Sequence, residues 1–215
     1  MRIAGGRWRG REVLMPKSEA VRPTQSRVRE AVFDLLMQVV GGCRFLDLFA
    51  GSGAMGIEAL SRGAASVAFW ERDRAVFATL CKNLAAFGIP ESCACQRDSL
   101  LALGLEAAEE APEAAAGRGM RPSRAGRGAQ PAASALVAGA VGYTVVFADP
   151  PYRWAQAHGL APLALALRAR GVLSEGGFFV AEMGRGTHPE EIAGFALVRD
   201  RLYGTSRIAI WQAEA

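Results

Sequence analysis

The stretch "VFADPPYRW", residues 146–154, runs out of an apolar strand straight into a carboxylate, two prolines and an aromatic ring. Two consecutive prolines cannot continue a helix or a central strand, and each fixes its own φ. The residue before a proline is pushed to extended geometry, which holds Asp149 and Pro150 stiffly. The result is a rigid shelf at a strand end, carrying one carboxylate, exposed carbonyls and the flat ring of Tyr152. Such a shelf suits a flat molecule bearing an NH2 group. A Pro-Pro turn at a strand end can also be purely structural, so the reading depends on what the rest of the chain supplies.

A second stretch, "FLDLFAGSGAMGIEAL", carries Gly51-x-Gly53-x-x-Gly56 between an expected strand and an expected helix. Glycines there let the backbone turn tightly and approach a ligand closely. Glu71 follows Gly51 by 20 residues, at the end of the next strand, where an acid typically binds a ribose hydroxyl pair. These features fit either a nicotinamide cofactor or S-adenosylmethionine. Asp47, four residues before Gly51, separates the two. Beside a pyrophosphate its charge would repel by roughly 1–4 kcal/mol at contact distance, whereas beside a sulfonium ligand with an ammonium group it attracts. Asp98, in "QRDSL", is placed to accept from an adenine amino group.

The shelf then borders the same crevice, on the side facing a methyl donor. A base amine is a poor nucleophile because its lone pair is delocalised into the ring. Accepting its two N–H hydrogens, through the Asp149 side chain and the Pro150 carbonyl, localises that lone pair toward the methyl group. Tyr152 would stack on the base, a contact worth about 1–3 kcal/mol. Catalysis is then mostly alignment and electrostatics, with no metal. Asp149 need not be a strong base, since the amine becomes acidic only after methylation.

The elements that must position these groups alternate. The pattern predicts strands over 44–49, 66–71 and 92–97, with helices over 54–61 and 74–87 between them. A second series follows, with a strand over 144–148, a helix over 155–168 and a strand over 177–182. The final "FALVRDRLYGTSRIAIWQ" reads as an antiparallel hairpin around Tyr203-Gly204-Thr205. Repeated β-α units imply an α/β fold with a mostly parallel sheet, helices on both faces, and ligands at the carboxyl ends of the strands. Before this series, "RIAGGRWRGREVLMP" reads as a short twisted hairpin. Then comes a helix capped by Thr24 or Ser26, with Val28, Val32, Leu35, Leu36 and Val39 on its apolar face. Gly41-Gly42 stops it.

At 215 residues and 51% hydrophobic positions the chain can bury one good core. The expected organisation is a basic extension over 1–40 and a catalytic domain over 41–215, with an insertion at about 104–142. That insertion, rich in Arg, Gly and Ala, is low-complexity and reads as a surface-loop addition. Net charge is +4, yet residues 1–29 hold eight basic residues against two acidic ones. A local excess of that size points to a polyanion partner such as nucleic acid. Four cysteines form no C-x-x-C pair and the two histidines, His158 and His188, lie far apart, which argues against zinc and for idle thiols in a reducing cytosol. The start of the chain has no signal-peptide pattern. The charge-free run 128–148 is Ala/Gly-rich, contains Pro131 and ends in a strand, so it reads poorly as a membrane span.

Together, "RIAGGRWRGR", "RPTQSRVREAVFDLL", "FLDLFAGSGAMGIEALSRGA" and "VFADPPY" resemble the bacterial methyltransferases that modify the exocyclic N2 of one guanine in 16S ribosomal RNA. The resemblance implies a Rossmann-like seven-strand methyltransferase sheet, S-adenosylmethionine as donor, and a cytoplasmic monomer. It also implies action on an assembling or assembled 30S subunit, with no membrane and no metal. By position, Asp47, Phe49, Gly51 and Gly53 would line the donor, Glu71 its ribose and Asp98 its adenine. Asp149, Pro150 and Tyr152 would hold the guanine, and Arg7, Arg9, Arg11, Arg22, Thr24, Arg27 and Arg29 would serve the RNA side. The 104–142 insertion departs from the family pattern without touching these motifs. Competing readings are an adenine-N6 methyltransferase on DNA, a non-catalytic RNA-binding protein and a nicotinamide oxidoreductase. The first is disfavoured by the lack of a separate target-recognition domain, the second by the complete donor set, and the third by Asp47 and the basic arm.

Overall fold

The computed structural model describes residues 1–16, 26–96, 98–105 and 142–214, with the side chains of Ser92 and Tyr152 left aside. Seven strands of the described residues form one sheet: β1 (Arg44–Asp47), β2 (Ser66–Glu71), β3 (Ala94–Gln96), β4 (Tyr143–Ala148), β5 (Leu173–Gly184), β6 (Phe195–Tyr203) and β7 (Ser206–Ala213). Their order is β3-β2-β1-β4-β5-β7-β6. Strands β1 to β5 run parallel to one another, while β7 is antiparallel to both β5 and β6. Progression outward from β1 reverses between β1 and β4, which opens a crevice at their carboxyl ends.

Strands β1 and β4 are short apolar runs because both of their faces are covered. Phe45, Val145 and Phe147 face one core cluster, and Leu46, Val146 and Ala148 face the other. Helices α1 (Ser26–Leu35), α2 (Ala54–Ser61) and α3 (Arg74–Phe87) cover the first face through Val32, Phe33, Ile57, Leu80 and Leu84. Helices α4 (Ser99–Ala102), α5 (Tyr152–His158) and α6 (Ala161–Ala169) cover the second through Leu100, Trp154, Leu163 and Leu167.

Bounds of α2, β2 and α3 match the sequence expectation because each end carries a local stop. The Asp73 carboxylate accepts from the Ala75 and Val76 amides at 2.8 Å to open α3, and Gly88 closes it at φ 68°. The helix expected over 155–168 is instead two. It begins at Tyr152, directly after the prolines, and breaks at Gly159, whose φ is 72°. Helix α6 then restarts because Glu190, 29 residues further on, accepts from the Leu160 and Ala161 amides, the latter at 2.8 Å. That cap is tertiary and leaves no trace in the local pattern.

The N-terminal hairpin is reduced to one bridge, Arg2 to Glu12, around a 3-10 turn at Gly6–Trp8. It is fastened to the sheet's helices. Ile3 and Val13 are buried in the first core cluster. The Glu58 carboxylate, on α2, accepts from the Ala4 and Gly5 amides at 2.8 and 2.7 Å. Asn83, on α3, accepts from the Leu14 amide and donates to its carbonyl, both at 2.9 Å. Residues 106–141, which hold nearly all of the expected insertion, and the Thr24 cap lie outside the described residues.

Candidate active site

A cavity of about 780 Å³ opens at the carboxyl ends of the strands, astride the reversal between β1 and β4. Asp47, Phe49, Gly51, Glu71 and Asp98 line one side, and Asp149, Pro150 and Pro151 line the other. Residues about 100 positions apart in sequence are therefore brought to one space by the adjacency of β1 and β4.

The glycine loop is built by backbone demands. Gly53 has φ 79°, and a Cβ there would meet the Leu80 side chain at 2.4 Å. Gly53 sets the turn without lining the cavity. A Cβ on Gly56 would strike the Phe69 ring at 2.2 Å, so this glycine lets α2 lie close on β2. The loop is held between its neighbours by Leu48 N–H to the Phe147 carbonyl at 2.9 Å and Ala50 N–H to the Trp70 carbonyl at 3.0 Å.

Each acid on this side is already oriented. Asp47 is 1% exposed and accepts from the Gly56 amide at 3.0 Å. Burial pushes its carboxyl up to about 8, the Gly56 amide opposes this, and the nearby Glu71 charge adds a smaller upward push. Glu71 bridges two turns, accepting from the Gly51 amide at 2.9 Å and the Asp73 amide at 2.8 Å. A carboxylate offers about four lone-pair sites, so Glu71 keeps capacity for two hydroxyls. Asp98 has a second occupation that its sequence position did not announce. Its Oδ1 accepts from the Leu100 and Leu101 amides at 2.9 and 3.2 Å to start α4, and its Oδ2 lies 3.5 Å from Arg72.

On the other side, β4 pairs with β5 in the register Ala148 to Ala181. Asp149 therefore leaves the sheet beside Glu182, which also lines the cavity. Sequence reasoning passed over Glu182, since it sits on a strand far from any motif. Asn83 was missed too, although its place on the buried face of α3, with Val76, Leu80 and Phe87, marks a polar residue that must find partners. It donates to the Ser52 carbonyl at 2.8 Å, bracing the glycine loop. Tyr152 begins α5 directly after the shelf.

The basic residues divide. Arg7, Arg9 and Arg27 are exposed. Arg11 is exposed as well, but lies over the Phe87 ring at 4.3 Å and donates to the Ala86 carbonyl. Arg29 is a correction: it is 0% exposed, pairs with Glu58 at 3.1 Å and donates to the Arg2 carbonyl. It faces the core because it lies four and seven residues before Phe33 and Leu36, on their side of the helix. Its guanidinium ties the extension to α2 and does not reach a surface ligand. Arg22 and Thr24 lie outside the described residues.

Among the described residues no three His, Cys, Asp or Glu gather to hold a metal, and no helix is long and apolar enough to cross a membrane. The Cys43 and Cys81 thiols are both pushed up to about 11, chiefly by burial.

A family model described as "Conserved hypothetical protein 95" matches residues 1–115 and 124–212. "Ribosomal RNA small subunit methyltransferase D" of Escherichia coli (strain K12) is 54% identical over 85 residues, 40% of this chain and 43% of that protein. The chain thus spans less than half the length of this relative. YlbH of Bacillus subtilis (strain 168), provisionally named an rRNA methyltransferase, is 31% identical over 213 residues, covering 99% of this chain and 98% of that one. Among solved structures, Escherichia coli yhhF, provisionally described as a methyltransferase, superposes with a TM-score of 0.71 at 30% identity, over 100% of this chain and 98% of that one.

Proposed function

The chain belongs to the conserved hypothetical protein 95 family, and from that premise and the two-sided cavity we propose that it methylates ribosomal RNA. The donor in this reading is S-adenosylmethionine, and the acceptor is the exocyclic N2 of a guanine in 16S rRNA of the small subunit. The observation that carries it is one cavity lined on one side by Asp47 and Glu71 and on the other by the Asp149-Pro150 shelf. The names of the relatives support the RNA class of the substrate.

The residues present fit the donor. A carboxyl raised to about 8 by burial is one that a cation beside it would ionise, and the donor carries an ammonium and a sulfonium. When bound, the donor supplies an electrophilic methyl group. Asp47 would hold its cationic end, Glu71 the ribose hydroxyls and Asp98 the adenine amine. Phe49, Gly51 and Gly53 would shape the crevice.

Asp149 and the Pro150 carbonyl accept the hydrogens of the guanine amine and turn its lone pair toward the methyl. Tyr152 stacks on the base. Asp149 then receives the proton that the methylated nitrogen sheds. Rigidity of the shelf keeps this alignment, so most of the acceleration comes from positioning. Residues 1–40 act as the RNA-contacting extension of a catalytic domain over 41–215. Arg7, Arg9, Arg11, Arg22, Thr24 and Arg27 serve the RNA of an assembling or assembled subunit, and the protein works as a cytoplasmic monomer.

The test is labelled-methyl transfer onto small subunits, naked 16S RNA and DNA side by side, followed by nucleoside analysis. N2-methylguanosine appearing in the subunits is the expected product. N6-methyladenine in the DNA would overturn the reading.

A further inference from the structure

Glu182 stands on the acceptor side of the cavity with a hydrogen-bonding capacity that no described residue uses. The parallel register Ala148 to Ala181 brings Asp149 and Glu182 out of adjacent strands side by side, and both line the cavity. One oxygen of Glu182 is fixed: Oε1 accepts from the Ser206 hydroxyl at 2.7 Å, at the start of β7. The other, Oε2, is shut from solvent and has no hydrogen-bond partner among the described residues. A buried acceptor without a donor is costly, so a partner that brings one is favoured. The last torsion of a glutamate is broad, so a small turn about it presents Oε2 to the cavity while Ser206 keeps hold of the carboxylate.

A carboxylate can only accept, so the partner that completes Glu182 must bring an N–H or O–H. Guanine presents two donors in a row, its ring N1–H and the adjacent N2 amine. Adenine and cytosine each place a lone pair beside their amine, at N1 and N3 respectively. We propose that Glu182 accepts from the ring N–H adjacent to the reacting amine, and so selects guanine against adenine and cytosine. This rests on the reading that Asp149 and Pro150 grip that amine. Two neighbouring carboxylates then match one base edge that is all donor, and a base with the opposite pattern would aim a lone pair at a charged oxygen.

The test compares guanine with 2-aminopurine, which keeps the 2-amine but has a lone pair at N1. Small subunits are reconstituted with RNA bearing either base at the methylated position, and transfer is measured for the wild-type protein, Glu182→Gln and Glu182→Asp. Donor affinity and melting temperature are measured on the same preparations, to separate a substrate effect from misfolding. A site built around an N–H rejects an analogue lacking it by large factors, so the wild type should prefer guanine by about 10²-fold or more. In Glu182→Gln, whose amide can rotate to donate, that preference should fall to within about threefold, with donor affinity changed less than about twofold. Glu182→Asp, which keeps the charge but withdraws it, should lose guanine transfer without gaining 2-aminopurine transfer. An unchanged preference in Glu182→Gln overturns the proposal even when wild-type protein makes N2-methylguanosine. Absence of that product with wild-type protein instead overturns the reading of the amine on which it rests.

Discussion

The two sides of the cavity are built differently. On one side Asp47, Glu71 and Asp98 come from residues 47–98, and each is already hydrogen-bonded to a nearby backbone amide: Asp47 to Gly56, Glu71 to Gly51, Asp98 to Leu100. The other side joins Asp149, Glu182 and Ser206, which meet only because β4, β5 and β7 are neighbours. There Glu182 keeps an oxygen without a donor among the described residues. A site for a constant small molecule can be completed by local backbone. A site that must choose among bases leaves polar capacity for the chosen one to satisfy.

The sharpest way to break this comparison is Asp149→Ala. Transfer should fall by about 10³-fold, the upper range for losing one oriented catalytic group, while donor binding stays nearly intact. Equal losses in both would mean that the two sides are not separable. Next in size is Arg29→Ala, which leaves the Glu58 carboxylate buried with one cation fewer. Breaking such a pair costs about 3–5 kcal/mol, although Arg62 at 2.8 Å from Glu58 compensates in part. Thermal unfolding should show the loss, and a matching drop in donor affinity would show that the extension braces α2.

Asp47→Asn tests the donor side through pH. The folded carboxyl lies near 8, above its unfolded value, so its stabilising contribution is fully present below about pH 4 and is lost as pH rises through about 8. The ligand-free variant should therefore gain melting temperature over wild type as pH climbs from about 5 to about 9. Its donor affinity should fall about 100-fold, and the wild-type rise in affinity from about pH 6 toward about pH 8 should vanish. Smallest is Arg9→Gln on the exposed extension, expected to lower the salt slope of RNA binding by about 0.7–0.9. No change in slope would remove Arg9 from the RNA side.

Legibility in the sequence followed the range of the forces involved. Strand β2 and helices α2 and α3 read true because caps and glycines sit within a few residues of the ends they set. Arg29 misled because its charge was counted without its position on the helix, three and seven residues before Val32 and Leu36 of the expected apolar face. The break at Gly159 was hidden because the cap of α6 comes from Glu190, on another segment.

By itself the sequence determined the alternation of strands and helices, the glycine turn before α2 and the stiffness of Asp149-Pro150, since sterics and hydrogen bonds within a turn or two decide these. Only the tertiary structure decided that β4 lies beside β1, that Glu58 gathers the N-terminal loop and Arg29, and that Glu182 joins Asp149. Those contacts exist because two apolar faces had to be covered at once, and strand order is a property of the whole core that no single stretch contains.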